Sequence, residues 1–324
     1  MTSTWPEKNP RSLGVCSLLP SATEMVCALG SQDLLLGVTH ECDFPPGVER
    51  IRKITRSRIP SGLPSGEIDA AVRASLRDGG TLYELDMEAL EELQPDLVIT
   101  QRLCDVCAVA FDNVQDAVAT LRSRPQVINL EPSSVEDILE CIRTVARAMN
   151  RESSADSVIE SLQRRIDAVR AKTANITDRP RTFCMEWVDP PFCGGHWMKE
   201  LVDFAGGRDD LAKDRWPSRS IDWQRVVEFS PEVIVLTCCG FELPRCMQEG
   251  EILARYEGAL ELPAAKNGRV YATNGSAYFS RPGPRIVESL EILAHLIHPE
   301  IFAAPALPDT FARIDLARMT AVHS

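Results

Sequence analysis

The sequence predicts an α/β protein of two Rossmann-like α/β lobes that are joined by a single long helix, with a ligand cleft between the lobes. Short runs rich in Val, Ile and Leu alternate with helical patterns, and this alternation indicates parallel sheets built from βα units. Two such sets of strands flank residues 151–176. Residues 87–100 and 223–237 also repeat one pattern, a helix followed by Pro, an acidic residue and an apolar strand. This repeat favours two related lobes.

The predicted strands are apolar runs of a length that is typical of buried strands. Four of them precede the central helical region and three follow it. They cover residues 13–19, 35–39, 97–100, 127–130, 182–188, 233–237 and 270–273.

Two helical patterns separate the two sets of strands. Ser133 and Glu136 form a capping-box signature, and the residues after them keep one face apolar as far as Met149. Residues 151–176 continue with about 22 residues of amphipathic pattern, enough at about 1.5 Å per residue to span the ~30 Å between two lobes. A plain surface helix of the second lobe fits the same periodicity. We expect an N-terminal lobe of residues 1–150, a connecting helix of 151–176 and a C-terminal lobe of 177–324.

Composition excludes several classes of partner. The chain has 324 residues and a formal net charge of −12, which argues against a nucleic-acid-binding face. The N-terminal residues contain no apolar signal-like core, and no segment approaches about 18 uninterrupted apolar residues, so we expect a cytosolic protein without membrane insertion. The eleven cysteines are then expected to be reduced thiols or metal ligands rather than disulfides.

Groups with binding chemistry follow the predicted strands. Loops and helix N-termini converge at the carboxyl ends of strands in open α/β sheets, so ligands bind there. These loops read H-E-C-D-F-P-P, Q-R-L-C-D-V-C, E-W-V-D-P-P-F-C-G-G-H-W, C-C-G-F and N-G-S-A-Y-F-S-R-P-G-P-R. They supply metal ligands, aromatic rings and an arginine. Dinucleotide, P-loop, nucleophile-elbow and zinc-protease motifs do not occur, which favours a binding protein over an enzyme.

A metal site is one interpretation of these loops. Cys104 and Cys107 have a C-x-x-C spacing that binds zinc or an iron–sulfur cluster and that also serves redox chemistry. No second C-x-x-C follows at zinc-finger spacing, so the remaining ligands must come from separate loops. The candidate metal ligands are Cys42, Cys104, Cys107, Cys239, His40 and His196. The alternative for each cysteine is a small buried hydrophobic residue, and for each aromatic residue it is core packing.

Several motifs together resemble one known family. S-L-L-P-S-A-T-E-M-V-C-A-L-G, L-L-G-V-T-H-E-C-D-F-P-P, D-P-P-F-C-G-G-H-W-M-K-E-L-V-D-F-A-G-G and Y-F-S-R-P-G-P-R are similar to the cobalamin-binding proteins of vitamin importers. That group belongs to the helical-backbone metal-receptor superfamily, which is class III periplasmic-binding-protein-like. The matching motifs run in order from about residue 12 to residue 300. The resemblance implies two α/β lobes joined by a long helix, with the ligand between them.

The resemblance also implies binding residues. It places ligand-facing loops at residues 40–44, at Phe192 and at residues 278–281, whereas Glu41 and Arg56 replace aromatic residues that contact the corrin in the periplasmic proteins. The candidate ligand-binding residues are His40, Glu41, Cys42, Arg56, Glu186, Trp187, Phe192, His196, Trp197, Tyr278, Phe279 and Arg281. In the importer family, an acidic residue of each lobe pairs with the ABC permease. This chain has Glu88 and Gln224 there, so permease docking is in doubt.

Three functions agree with the sequence. The first is a cytosolic protein that binds a corrinoid (cobalamin-like) or another metal chelate, with His40 or His196 as a metal ligand. The second is a zinc or iron–sulfur protein or enzyme that uses Glu41 or Glu186 as a base. The third is an interaction scaffold that binds no small molecule.

Overall fold

The computed structural model describes residues 13–77, 81–101 and 111–319, and these residues form two compact units. The first unit comprises the described residues up to Gly62, with Ala70–Glu131 and Leu139–Ile159. The second comprises Leu63–Asp69, Pro132–Ile138 and the residues from Glu160 onward. Each unit has its own α/β sheet, so the predicted fold class of two α/β lobes is confirmed. The lobe boundaries proposed from the sequence stay predictions.

The first half of the chain alternates strands and helices as expected. In chain order its elements are β1 (Val15–Ser17), α1 (Pro20–Ala28), β2 (Leu35–Val38), β3 (Arg52–Lys53), β4 (Thr55–Ser57), α2 (Ser65–Arg77), β5 (Tyr83–Leu85), α3 (Met87–Leu93), β6 (Leu97–Thr100), α4 (Phe111–Ala119), β7 (Gln126–Asn129), α5 (Val135–Met149) and α6 (Glu152–Thr173).

A parallel five-stranded sheet forms the centre of the first unit, in the order β3-β2-β1-β6-β7. Residues of its middle strands, such as Val15 and Val98, are fully buried, as a parallel sheet covered on both faces requires. Ala89 and Leu90 of α3 and Val114 of α4 pack with Val98 in one core cluster. A two-stranded antiparallel ribbon, β4-β5, completes the unit.

Helix α5 begins one residue later than the predicted capping box implies. The Oγ of Ser134 accepts the backbone N–H of Asp137 at 3.1 Å, and the Asp137 carboxylate accepts the N–H and Oγ–H of Ser133 at 3.0 and 2.8 Å. Ser134 therefore caps α5, and the Asp137 side chain binds back to Ser133 rather than to Ser134. The prediction of Ser133 with Glu136 is wrong by one position because two adjacent serines both fit the pattern.

The second half of the chain carries the second sheet. Its elements are β8 (Thr182–Trp187), β9 (Phe192–Cys193), α7 (Met198–Phe204), β10 (Arg219–Ser220), α8 (Trp223–Phe229), β11 (Val233–Leu236), α9 (Leu243–Leu253), α10 (Pro263–Lys266), β12 (Val270–Thr273), α11 (Ile286–Ile297), β13 (Phe311–Arg313) and α12 (Leu316–Met319).

The second unit contains a six-stranded mixed sheet in the order β10-β9-β8-β11-β12-β13. Strands β8, β11 and β12 are parallel, and the short strands at both edges are antiparallel to their neighbours. Phe183, Ile234 and Leu236 are fully buried in the core of this unit. Among the residues described, no helix combines the length and apolar character needed to cross a membrane.

The segment Leu63–Asp69 belongs to the second unit, and two hydrogen bonds of Ser65 connect it there. The Ser65 hydroxyl donates a hydrogen bond to the Glu249 carboxylate at 2.7 Å, and the backbone carbonyl of Ser65 accepts the indole N–H of Trp187 at 3.2 Å. Glu249 is fully buried and forms an ion pair with Arg245 at 2.5 Å. The Ser65 hydroxyl and the Arg245 cation both contact this buried carboxylate, and these contacts hold the start of α2 in the second unit.

Candidate functional site

In the first unit, the loop after β2 places His40 beside two residues that the sequence analysis did not select. The Nδ1 atom of His40 lies 2.8 Å from Oγ1 of Thr55, and the backbone N–H of His40 donates to the same oxygen at 3.1 Å. The Tyr83 ring lies 5.7 Å from the imidazole, centroid to centroid. Burial, with a smaller effect of the positive charge of Lys53, holds the pKa of His40 below its usual range. The imidazole is therefore neutral at pH 7.

Cys42 is a buried thiol rather than an accessible ligand. Its Sγ lies 3.2 Å from Oγ1 of Thr23 and 3.5 Å from Oγ1 of Thr39, and burial raises its pKa. Metal binding requires the thiolate, which this environment disfavours. The Lys53 ammonium donates a hydrogen bond to the backbone carbonyl of Cys42 at 2.6 Å, which holds the loop against β3.

The other candidates of the first unit lie at the surface. Glu41 is exposed, and its backbone N–H donates to Oγ1 of Thr39 at 3.0 Å. Arg56 is exposed and lies 3.7 Å from Asp86. Cys104 and Cys107 are outside the described residues.

In the second unit, several predicted residues converge on the loop after β9. The Glu186 carboxylate accepts the backbone N–H of Gly195 at 3.0 Å, and burial raises the pKa of this carboxyl. The imidazole of His196 is stacked on Trp197 at 5.6 Å between ring centroids. The indole N–H of Trp197 donates to the carbonyl of Phe279 at 3.3 Å. These contacts connect the ends of β8 and β9 with the turn that follows β12.

His196 itself is held in an unusual local structure. Its φ of 52° is in the left-handed region, and its backbone N–H donates to the carbonyl of Trp216 at 2.6 Å. Burial lowers the pKa of the imidazole, and the buried Nδ1 has no hydrogen-bond partner in the described part of the chain. A strained backbone and an unpartnered ring nitrogen are features that often mark functional sites.

The predicted aromatic walls are mostly interior packing. Trp197, Tyr278, Phe279 and Arg281 are all buried, with 3–7 % of their surface exposed. They fix the loops and offer little surface to a ligand. Trp187 and Phe192 are partly exposed and face each other across β8 and β9.

Trp216 is the exposed aromatic residue that the sequence analysis missed. Its side chain is 56 % exposed, and the Lys213 ammonium lies 4.4 Å from the ring centroid. It follows no predicted strand, and only folding brings its carbonyl to His196. The motif W-P-S that contains it was therefore not distinguishable from an ordinary loop.

The described residues do not support the predicted metal site. Within residues 13–77, 81–101 and 111–319, no three His, Cys, Asp or Glu side chains are arranged to hold a metal ion. The described members of the predicted set, Cys42, Cys239, His40 and His196, thus form no zinc or iron–sulfur site among themselves. Cys42 and His40 belong to the first unit, whereas Cys239 and His196 belong to the second.

Comparison with known proteins gives relatives over most of the chain. An uncharacterised ABC transporter substrate-binding lipoprotein of Bacillus subtilis is 24% identical over 302 residues, which are 91% of this chain and 82% of that protein. A vitamin B12-binding protein of Vibrio parahaemolyticus is 24% identical over 286 residues, covering 87% of this chain and 88% of that protein.

Solved structures with the same fold have lower sequence identity. The apo form of a periplasmic heme-binding protein of Roseiflexus sp. RS-1 has a TM-score of 0.68 and 19% identity, covering 89% of this chain and 98% of that one. The periplasmic vitamin B12-binding protein of Vibrio cholerae has a TM-score of 0.64 and 18% identity, covering 89% and 97%. At these identities the likeness shows the fold alone.

The names of these proteins contradict the cytosolic location that the sequence analysis predicted. They are periplasmic proteins and a lipoprotein of ABC transporters. The prediction relied on the absence of an apolar signal-like core in the N-terminal residues, and it is wrong.

One family covers most of the chain in a single match. Its sequence profile aligns with residues 15–277, from the first strand of the first unit to the turn after β12 in the second. By this match, the chain belongs to the periplasmic binding protein family.

Proposed function

We propose that this protein is a substrate-binding protein for a corrinoid (cobalamin-like) ligand or a related metal chelate. Family membership supports the class, and relatives named for vitamin B12 or heme support the type of ligand. The observation that carries the proposal is that each unit has an imidazole in a strand-end loop and that an aromatic ring holds this imidazole in place. These are His40 with Tyr83 and His196 with Trp197.

Trp216 adds the surface that a flat macrocycle needs. An exposed indole supplies a large, rigid apolar area at low cost in side-chain entropy. The backbone contact between Trp216 and His196 keeps this indole next to the loop with the strained histidine. We therefore assign Trp216 to the ligand-binding surface of the second unit.

Calorimetry with hydroxocobalamin tests the proposal. We expect the wild-type protein to bind, and Trp216→Ala to bind about ten-fold more weakly because an aromatic contact is lost. Leu260→Ala is the matched control: it removes an exposed apolar side chain from the short turn that precedes α10 in the same unit. Absence of any binding heat at ligand concentrations up to about 100 μM would contradict the proposal.

We also propose that permease docking relies on one carboxylate. Glu88 and Gln224 are both exposed and occupy the second residue of α3 and of α8. A glutamine there cannot form an ion pair with a basic permease residue. In a pull-down with its own ABC permease at physiological salt, the wild type should be poorly retained and Gln224→Glu better retained. Strong retention of the wild type would disprove this.

A further inference from the structure

The hydroxyl of Thr55 determines which nitrogen of His40 carries the proton. Thr55 is the first residue of β4, two residues after the end of β3, and only 4% of it is exposed. Its Oγ1 has two contacts in the described residues, the backbone N–H of His40 at 3.1 Å and Nδ1 of His40 at 2.8 Å. Both contacts are to one residue.

The roles in these two hydrogen bonds follow from counting donors. A backbone N–H only donates, so it occupies a lone pair of the Thr55 oxygen. The hydroxyl proton then needs an acceptor, and among the described residues the one acceptor within hydrogen-bond distance is Nδ1 of His40. With Nδ1 as an acceptor, the ring proton must be on Nε2. The opposite tautomer would leave a buried hydroxyl proton without a partner, which costs free energy.

The imidazole presents this Nε2–H to the exterior. Nε2 has no partner among the described residues and is not one of the buried unpartnered atoms. The Tyr83 ring and the Thr55 hydroxyl fix the plane of the imidazole ring. Burial and the positive charge of Lys53 both lower the pKa of His40 and so favour the neutral imidazole. His40 comes directly after Thr39 at the carboxyl end of β2, where parallel sheets bind their ligands.

We propose that His40 binds the ligand as a hydrogen-bond donor and not as a metal ligand. Its Nε2–H, oriented by Thr55, donates to an oxygen acceptor of the ligand, an amide carbonyl or a carboxylate. A metal ligand would need a lone pair on Nε2 and a proton on Nδ1, with a second group to accept that proton. Thr55 is a positioning residue. This inference rests on the proposed function and replaces the prediction that His40 coordinates a metal.

The tautomer is measured first, without any ligand. In the full-length protein labelled with ¹⁵N on histidine at pH 8, we expect His40 to show a protonated Nε2 and an unprotonated Nδ1. His40→Gln identifies its signals by their loss. Thr55→Ser should keep this tautomer, whereas Thr55→Val, which has the same shape without a hydroxyl, should yield a mixture. A wild-type His40 protonated on Nδ1 would overturn the inference.

Binding of diaquocobinamide then tests the role of the proton. This corrinoid has peripheral amides and two cobalt-bound waters that an imidazole lone pair can displace. We expect His40→Phe to lose about ten-fold in affinity and His40→Gln, which keeps an N–H donor near the Nε2 position, to lose about three-fold. Equal losses in both variants, together with a visible spectral shift that depends on His40, would show coordination and overturn the inference. If the wild type does not bind, the proposed function fails, while the tautomer measurement still stands.

Discussion

Asp209 is a buried carboxylate whose surroundings disfavour its ionised form. It is fully buried, and its Oδ1 accepts the backbone N–H groups of Leu211 and Ala212 at 2.9 and 3.1 Å. Its Oδ2 has no partner in the described residues. Burial, partly offset by these two hydrogen bonds, raises the pKa of Asp209 from 3.8 to about 6.

This raised pKa makes stability fall as pH rises. The folded protein holds the Asp209 proton more tightly than the unfolded chain, so the stabilising contribution is complete below about pH 4 and is lost as pH rises through about 6. We expect Asp209→Asn to be more stable than the wild type above pH 6, by about 2 kcal/mol, and no more stable near pH 4. Urea unfolding at several pH values measures the difference.

A neighbouring residue supplies the control for this prediction. Asp210 is exposed and pairs with Arg208 at 3.2 Å, so Asp210→Asn should change stability by less than about 1 kcal/mol at any pH. A constant difference between wild type and Asp209→Asn from pH 4 to pH 8 would show that the carboxyl does not titrate in this range.

Single residues also show where sequence reasoning ends. His40 and His196 could be selected as candidates from the sequence because each follows a strand or lies in a Pro- and Gly-containing loop, and their role stays a prediction. Thr55 and Trp216 were not predictable because their contacts with these histidines depend on how distant segments pair. The sequence also does not show which aromatic side chains are buried, so Trp197 was predicted to form an apolar wall of the ligand site although only 5% of its surface is exposed.

At the scale of elements, the repeat in the sequence corresponds to the same helix–strand connection in both units. Asp86 and Asp222 cap α3 and α8, and Gln94 and Ser230 end these helices with φ of 44° and 53°. The carboxylates of Asp96 and Glu232 then accept the backbone N–H of Gly14 at 2.7 Å and of Arg181 at 3.0 Å. In both units, helix caps and carboxylate–backbone hydrogen bonds thus connect the helix to the strand that follows it and to the start of β1 or β8.

The caps give a prediction for both units. The Oδ1 of Asp222 accepts the N–H of Gln224 at 3.0 Å, and that of Asp86 accepts the N–H of Ala89 at 2.9 Å. Each helix has seven residues and depends on its cap because it makes few internal hydrogen bonds. We expect Asp222→Ala and Asp86→Ala each to lower the free energy of unfolding by about 1 kcal/mol, measured in urea.

Serine variants separate capping from charge. Asp222→Ser and Asp86→Ser retain an oxygen acceptor without the carboxylate, so each should recover most of the stability that alanine loses. If serine is as unfavourable as alanine, the carboxylates act through their charge and not as caps.

The strands that were predictable share one property. All seven predicted runs form strands, and six of them lie in the interior of a sheet, whereas β7 is at the edge of the first sheet. The strands that were missed, such as β4 (T-R-S) and β10 (R-S), have two or three residues and are polar. These strands form because they pair with a neighbouring strand, and their sequences contain no apolar pattern that would predict them.

At the scale of the whole molecule, the dominant property is the net charge of −12. Long-range repulsion of this size slows the approach of anions and leaves neutral ligands unaffected. The repulsion extends about 30 Å at 10 mM salt and about 8 Å at physiological ionic strength. The charge of a ligand should therefore appear in the salt dependence of its association rate.

Two corrinoids of different charge make this prediction testable. Cyanocobalamin has no net charge, and the tricarboxylic acid derived from its side-chain amides is anionic. We expect the association rate constant of the anionic form to rise about three-fold between 10 and 150 mM salt, and that of cyanocobalamin to stay constant, because salt screens only the repulsion of the anion. Stopped-flow fluorescence of the tryptophans measures both rates. A rate for the anionic form that falls with salt would mean that a local positive surface, and not the net charge, governs the approach of the ligand.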